Sequence, residues 1–312
     1  MNDSLKARYI KTAGILALLG NTFLALFKIF SAFVTGSMAV MGDGLDSATD
    51  VLIALVTLFV GSIVSRPSDK THPWGHARSE TTATMILSLV IFCAGAQLVL
   101  QSSKKIISGQ FAPSLEKIAI ITTSISIFGK TLLAISQAHF AKIAQSELVK
   151  ANALNMRNDI VLSLSVLVGL FLSNVFKLPI LDPIIAFLVG LWIIKNAITL
   201  FLQVNTELMD GNTDNSLYKK LFSAALSVPN VKNPHRARIR RLGSLLDIDL
   251  DIEVPPSLTI YDAHELAEQV EEAIRKEIPE VYDIVIHLEP YDSDSHQRIE
   301  RYGLTPSTFD LA

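Results

Sequence analysis

The sequence predicts a membrane all-α domain of six transmembrane helices, followed by a small cytoplasmic α+β domain. Half of the 312 residues are hydrophobic and only 18% are charged, whereas a soluble domain carries about 25% charged residues. Long apolar stretches fill the first two thirds of the chain, and charged residues crowd into the last third. This shift predicts a membrane domain over 1–206, a water-soluble domain over 207–291 and a polar flexible tail over 292–312.

Six segments reach the length of about 20 predominantly apolar residues that a membrane-spanning helix needs. An even number puts both termini on one side. The excess of Lys and Arg before the first span and in the second and fourth connections predicts that this side is the cytoplasm, although Lys104, Lys105 and Lys117 in the third connection oppose it. We therefore expect an integral protein of the cell (inner) membrane. The six segments are Tyr9 to Phe33, Ala39 to Val64, Thr81 to Ser103, Leu115 to Ala141, Leu148 to Val175 and Leu181 to Gln203.

Five elements are predicted in the soluble region. Leu246 to Val254 alternates strictly between apolar and acidic residues, which is typical of a strand with one buried and one solvated face. Ile260 to Ile278 carries an apolar stripe at helical spacing that starts at Ile260 itself. The others are a helix over Asp214 to Ser227 and strands over His235 to Leu242 and Val281 to Glu289. The order α-β-β-α-β predicts one sheet covered by two helices, a small sandwich of the ferredoxin-like type.

Acidic side chains lie inside the apolar second span, where Asp43, Asp46 and Asp50 share one helix face. A carboxylate at membrane depth is costly unless it is paired, protonated or bound to an ion. Asn155 and Asp159 lie one turn apart in the fifth span. With Asp46 and Asp50 they offer a cage of four oxygen ligands that suits a divalent cation. The alternatives are that Asp43 caps its helix or lies at the interface, and that Asn155 and Asp159 only bond across helices.

Two further groups of residues could bind a metal ion. Asp69, His72 and His76 lie close together in the second connection, and imidazole nitrogen suits a transition metal. The second group lies in the soluble region and consists of His235, Asp251, His264, His287 and Glu289. For both groups the alternative is that the side chains are merely solvated.

Charge and cysteine content exclude other classes. The net charge of -3 gives no reason to expect a nucleic acid as partner. Cys93 is the only cysteine, so neither a disulfide framework nor a cysteine-based metal site is possible. No cofactor is expected beyond the bound divalent cation.

These residues together resemble the cation diffusion facilitator family of metal exporters. The resemblance rests on Gly36 to Ala39 leading into Asp46 and Asp50, on the connection DKTHPWGHARSE, similar to the family's DxxHPxGHGKxE, and on Asn155 and Asp159. It implies a homodimer that moves a divalent metal out of the cytoplasm, usually in exchange for protons, through a site on spans two and five. It also implies a metallochaperone-like soluble domain that binds metal at the dimer contact.

Carried over by position, the resemblance implies a transport site and a loop site in the second connection. The transport site consists of Asp46, Asp50, Asn155 and Asp159, and the loop site consists of Asp69, His72 and His76. Asp251 stands where the zinc exporters of the family usually have His, and Glu289 where they have Asp. Arg78 and Asp210 match a charge pair that holds the dimer together near the cytoplasmic surface. Asn155 is the main departure, because zinc exporters carry His there. An all-oxygen site favours Mn²⁺, followed by Fe²⁺, Co²⁺ and Zn²⁺.

Two rival functions stay open at this point. A membrane metalloenzyme needs an open metal position and a general base, and four filled ligand positions leave no place for a substrate. A metal-sensing or scaffold protein of the same fold that has lost transport has no need of buried carboxylates. Metal flux through the reconstituted protein separates these functions from transport.

Overall fold

The computed structural model of the chain describes residues 3–64, 68–76, 78–109, 116–144, 147–242, 245–291 and 303–309. Each predicted span coincides with a long helix, so the prediction of a six-helix membrane domain is confirmed. Within the described residues, α1 and α3 to α6 are long and apolar enough to cross a membrane. The remaining helix, α2, is 27 residues long and carries the three aspartates. The helices are α1 (Asp3–Thr35), α2 (Met38–Val64), α3 (Arg78–Ser108), α4 (Glu116–Ala144), α5 (Glu147–Phe176) and α6 (Leu181–Leu208).

The helical unit, Met1–Gly61 and Ala83–Phe201, has an apolar exterior and small polar residues inside. Phe30 and Phe33 of α1 are largely exposed, whereas Ser102 and Ser126 are fully buried. That arrangement suits a lipid environment, because the backbone hydrogen bonds are formed within each helix and lipid chains surround the apolar outer face. Glycine allows α3 and α6 to approach closely, because a Cβ on Gly95 would lie 3.2 Å from the carbonyl oxygen of Gly190.

An aspartate from α6 fixes the start of α2. Asp182 accepts hydrogen bonds from the backbone N–H groups of Met38 at 2.8 Å and Ala39 at 3.2 Å, and from the Ser37 hydroxyl at 2.5 Å. The first N–H groups of a helix have no partner within it, and a carboxylate also complements the positive end of the helix dipole. This contact positions the helix that carries Asp46 and Asp50.

The second compact unit comprises Ser62–Thr82 and Leu202–Ala312. It contains one three-stranded sheet in the order β1-β2-β3, with β1 and β2 antiparallel and β2 and β3 parallel. Buried Phe222, Ile248 and Ile274 belong to a core that joins the sheet to two helices. The α+β prediction is confirmed, while the predicted domain boundaries stay predictions. The elements are α7 (Asn215–Leu226), β1 (Lys232–Leu242), β2 (Leu245–Val254), α8 (Ile260–Glu277) and β3 (Val281–Pro290).

Most of the acidic face of β2 is covered, which corrects the prediction that this whole face is solvated, although Asp249 stays partly exposed. Asp247, Asp251 and Glu253 are all buried. Arginines of β1 cover them: Arg240 Nε donates to Asp247 Oδ2 at 2.7 Å, and Arg236 donates to Asp251 Oδ2 at 2.6 Å. Alternation therefore identified the strand correctly, but it could not show that cationic side chains of the neighbouring strand shield the acidic face.

The apolar stripe of α8 also starts later than predicted. Ile260 is 92% exposed, and the buried positions of the helix are Leu266, Ala267, Val270 and Ile274. Ile260 is the first residue of the helix, after the N-cap Thr259. A residue at the helix terminus can match the helical spacing and still lie beyond the edge of the sheet that the helix covers.

The tail prediction is wrong for 303–309, which fold onto the α+β domain. Leu304 forms a bridge with Ala237, and Phe309 in a short 3-10 helix (Pro306–Phe309) stacks on Tyr218 with ring centroids 5.6 Å apart. Gly303 has a φ of +89° and lies against the backbone of Arg236, where a Cβ would clash. Apolar Leu304 and Phe309 explain the docking. Residues 292–302 and 310–312 lie outside the described residues.

Candidate metal sites

Helices α2 and α5 bring three of the four predicted transport ligands together. Asn155 Nδ2 donates to Asp50 Oδ1 at 3.3 Å, and Asp50 and Asp159 both lie beside one further side chain, described below. Asp46 is half-buried one turn before Asp50 on the same face of α2. Among the described residues, no hydrogen bond or ion pair links the Asp46 side chain to the other three. The ligand set contains only oxygen donors, three carboxylates and one amide.

A lysine that the sequence analysis missed lies between the carboxylates. Lys130 of α4 is 1% exposed. Its Nζ lies 2.9 Å from Asp159 Oδ2 and 3.3 Å from Asp50 Oδ2, and it donates to Asn21 Oδ1 of α1 at 3.0 Å. Helix α4 packs against both α1 and α5, which positions the ammonium among partners from three other helices. A lysine within the apolar fourth span was the available signal, because an ionisable residue at membrane depth is usually functional or paired.

Asp43 belongs to a separate buried ion pair and does not cap its helix. Lys28 Nζ lies 3.0 Å from Asp43 Oδ2, and both side chains are 1% exposed. The same ammonium donates to Ser47 and Ser163 at 3.0 Å each, and the Ser163 hydroxyl donates to Asp43 Oδ1 at 2.6 Å. These contacts connect α1, α2 and α5 and give Asp43 one ion-pair partner and one hydrogen-bond donor. We therefore treat it as a structural residue.

The connection between α2 and α3 brings its three predicted ligands together. Asp69, His72 and His76 each offer a ligand atom within 4.8 Å of the other two. The Asp69 carboxylate accepts from the Thr71 hydroxyl and from the backbone N–H groups of His72 and Thr71, and these bonds hold its pKa well below the usual range. A charged carboxylate beside two imidazoles fits a transition-metal ion.

This connection and the first residues of α3 contact other residues of the second compact unit. Arg78 forms an ion pair with Asp210 just after α6, and Thr81 donates to Glu207 at 2.8 Å. The guanidinium of Arg240 in β1 lies 4.5 Å from the ring centre of Trp74, a cation–π contact. The predicted charge pair is thus a direct contact within one chain.

In the α+β domain, the sheet register assembles three of the five predicted ligands. His235 of β1 pairs with Asp251 of β2, and Asp251 pairs with His287 of β3. Ligand atoms of His235, Asp251 and Glu289 lie within 4.8 Å of one another. His235 Nδ1 lies 2.7 Å from the carbonyl oxygen of Asn233, an arrangement that directs Nε2 toward a metal in many protein sites.

The other two predicted ligands lie apart from this cluster to different degrees. His287 is 61% exposed, and its Nε2 lies 3.5 Å from Glu289 Oε1, so it borders the cluster. His264 of α8 is 71% exposed and pairs with Glu268 at 3.4 Å. Within one chain, His264 is therefore not brought to the cluster.

Two family profiles match consecutive parts of the chain. The profile described as the cation efflux transmembrane domain matches residues 14–209, and that of the cation efflux protein cytoplasmic domain matches residues 213–291. The uncharacterized transporter YdbO of Bacillus subtilis is 30% identical over 89% of this chain and 94% of the relative. The manganese efflux system protein MneS of B. subtilis is 28% identical over 86% of this chain and 91% of the relative. The cation-efflux pump FieF of Cronobacter sakazakii is 28% identical over 91% of this chain and 93% of the relative.

Proposed function

Because the chain belongs to the cation diffusion facilitator family of divalent-cation efflux transporters, we propose that it exports Mn²⁺ in preference to Fe²⁺, Co²⁺ and Zn²⁺. The protein is an integral membrane transporter and not an enzyme. The proposed transport site consists of Asp46, Asp50, Asn155 and Asp159. The proposal further includes proton antiport, a homodimer, and cytoplasmic termini in the cell (inner) membrane.

The all-oxygen donor set is the observation that carries the preference for Mn²⁺. Zinc favours nitrogen and sulfur ligands, whereas carboxylate, carbonyl and water oxygens suit manganese. Asn155 Nδ2 donates to Asp50 Oδ1 at 3.3 Å, which supports a role for the amide beside this carboxylate. As a ligand the amide would offer its oxygen where a histidine would offer nitrogen. The similarity to a manganese efflux system protein supports the same preference.

The chemistry of the four side chains restricts where exchanged protons can bind. The Asn155 amide does not titrate, so the protons ride on the carboxylates of Asp46, Asp50 or Asp159 or on a group outside the site. Replacing metal by protons on these carboxylates keeps the buried charge balanced, and an unbalanced charge at membrane depth is costly.

The two other clusters are proposed as accessory metal sites on the cytoplasmic side. The loop site offers Asp69, His72 and His76, and it would collect metal or regulate its access to the membrane site. The cluster of His235, Asp251 and Glu289, bordered by His287, would bind metal in the soluble domain; His264 joins it only through a second copy of the chain. Metal that binds only the folded form stabilises that form.

The experiment that tests the metal preference is competition between Mn²⁺ and Zn²⁺ in proteoliposomes. Asn155→His should shift the preference toward Zn²⁺, because imidazole supplies a nitrogen ligand at the same depth. Asn158→His is the matched control, because Asn158 lies on the same helix, is exposed as Asn155 is, and is not one of the proposed ligands. The Asn155 variant should also depend more steeply on pH near neutrality, where imidazole changes charge. An unchanged preference would remove residue 155 from the site.

A further inference from the structure

The ammonium group of Lys130 occupies the position where a metal ion would meet two of its ligands. Its Nζ lies 2.9 Å from Asp159 Oδ2 and 3.3 Å from Asp50 Oδ2. The side chain is 1% exposed, so water does not replace it as a partner of these oxygens. Asp50 and Asp159 come from two helices, and the lysine comes from a third. The ammonium therefore joins the two halves of the proposed ligand set.

A divalent ion and this ammonium cannot both hold the same oxygens. Oxygen ligands bind divalent transition metals at about 2.0–2.2 Å, so a bound ion would lie at contact distance from the ammonium, and two cations so close repel strongly in a buried place. Lysine has a flexible four-carbon stem that allows its ammonium to move. Its third partner, Asn21 Oδ1 at 3.0 Å, is a neutral acceptor that is not a proposed ligand.

We propose that Lys130 is a tethered counter-ion of the transport site. In the metal-free site it offsets one of the two negative charges of Asp50 and Asp159, and it competes with the arriving cation for their oxygens. The inference rests on the proposed transport site and adds a residue that sets its affinity. Metal binding displaces the ammonium toward Asn21, and its return favours metal release. A monovalent cation gains too little from the same oxygens to displace the ammonium, so the competition also selects for divalent cations.

A second buried lysine in the same unit provides the control. Lys28 is as deeply buried as Lys130 and lies 3.0 Å from Asp43, but Asp43 is not one of the proposed ligands. Lys28→Met and Lys130→Met each remove one buried positive charge from the membrane domain. A merely structural role predicts that both substitutions lower thermal stability and leave the affinity of the site for metal unchanged.

The test is Mn²⁺ binding to the purified full chain in detergent, measured by titration calorimetry. The transport-site component is defined as the binding that Asp50→Ala abolishes. In Lys130→Met its dissociation constant should fall at least tenfold, and added Na⁺ should now compete. Lys28→Met and Lys130→Arg should bind Mn²⁺ as the wild-type chain does, because they retain a cation between Asp50 and Asp159.

Lys130→Gln, purified with Mn²⁺ and then stripped of it, serves as the second variant if Lys130→Met does not fold, because the amide keeps a donor for Asn21. An unchanged or weaker Mn²⁺ affinity in folded Lys130→Met or Lys130→Gln would overturn the counter-ion role while leaving the transport site in place. A wild-type binding profile in Asp50→Ala would instead remove the proposed site itself, and the counter-ion role with it.

Discussion

Lys28→Met should destabilise the membrane domain strongly without changing its transport site. The substitution leaves the Asp43 carboxylate buried, with the Ser163 hydroxyl as its remaining partner. Removing one partner of a buried ion pair costs about 3–5 kcal/mol, because the other charge stays desolvated. For a domain of this size that corresponds to a fall in melting temperature on the order of 10 °C.

Removing both charges should restore most of the lost stability. Lys28→Met/Asp43→Asn leaves no buried charge at this pair, and replacing a whole buried pair by neutral groups is often close to neutral. The assay is thermal unfolding of the purified chain in detergent, monitored as the monodisperse fraction that remains in gel filtration. It is applied to Lys28→Met, to Asp43→Asn and to the double variant. A double variant as unstable as the sum of the two single ones would show no coupling. That result would refute the assignment of Lys28 and Asp43 as a structural pair.

Three further substitutions test other contacts. His72→Ala should slow Mn²⁺ flux in proteoliposomes several-fold without abolishing it, because the proposed role of the loop site is to supply metal or regulate its access; complete loss would place the loop in the transport path. Arg78→Ala should weaken the dimer, measured by sedimentation in detergent, because it leaves Asp210 without its ion-pair partner; an unchanged dimer constant would contradict this. Gly303→Ala should release 303–309 and speed hydrogen exchange around Phe309, since φ is +89° there and a Cβ would meet the Arg236 backbone; unchanged exchange would show that the segment adapts.

Periodic features of the sequence predicted most of the fold. Apolar length identified the six helices, and strict alternation identified β2. The incorrect predictions concern side chains whose exposure depends on a neighbouring strand or helix. Asp247 and Asp251 alternate with apolar residues like solvated side chains, yet Arg240 and Arg236 cover them. Spacing within one element carries no information about such partners.

The candidate sites show the same limit. The spacing of Asp46 and Asp50 and of Asn155 and Asp159 was enough to predict a shared intramembrane site. Lys130 escaped notice because its partners lie on other helices, 80 residues away in the case of Asp50 and 109 for Asn21. A lysine in an apolar span indicates that a partner exists, but only the packing of the helices identifies the partner.

The central claim is that the carboxylates of α2 and α5 carry the transported metal. Mn²⁺ flux into proteoliposomes tests it most directly, with Asp50→Ala and Asp159→Ala compared with the wild-type chain and with Lys28→Met/Asp43→Asn. The double variant changes an acidic residue of α2 outside the proposed site and should retain flux. Both single variants should lose flux while their gel-filtration profiles stay that of the folded protein. Wild-type flux from either Asp50→Ala or Asp159→Ala would contradict the four-ligand site.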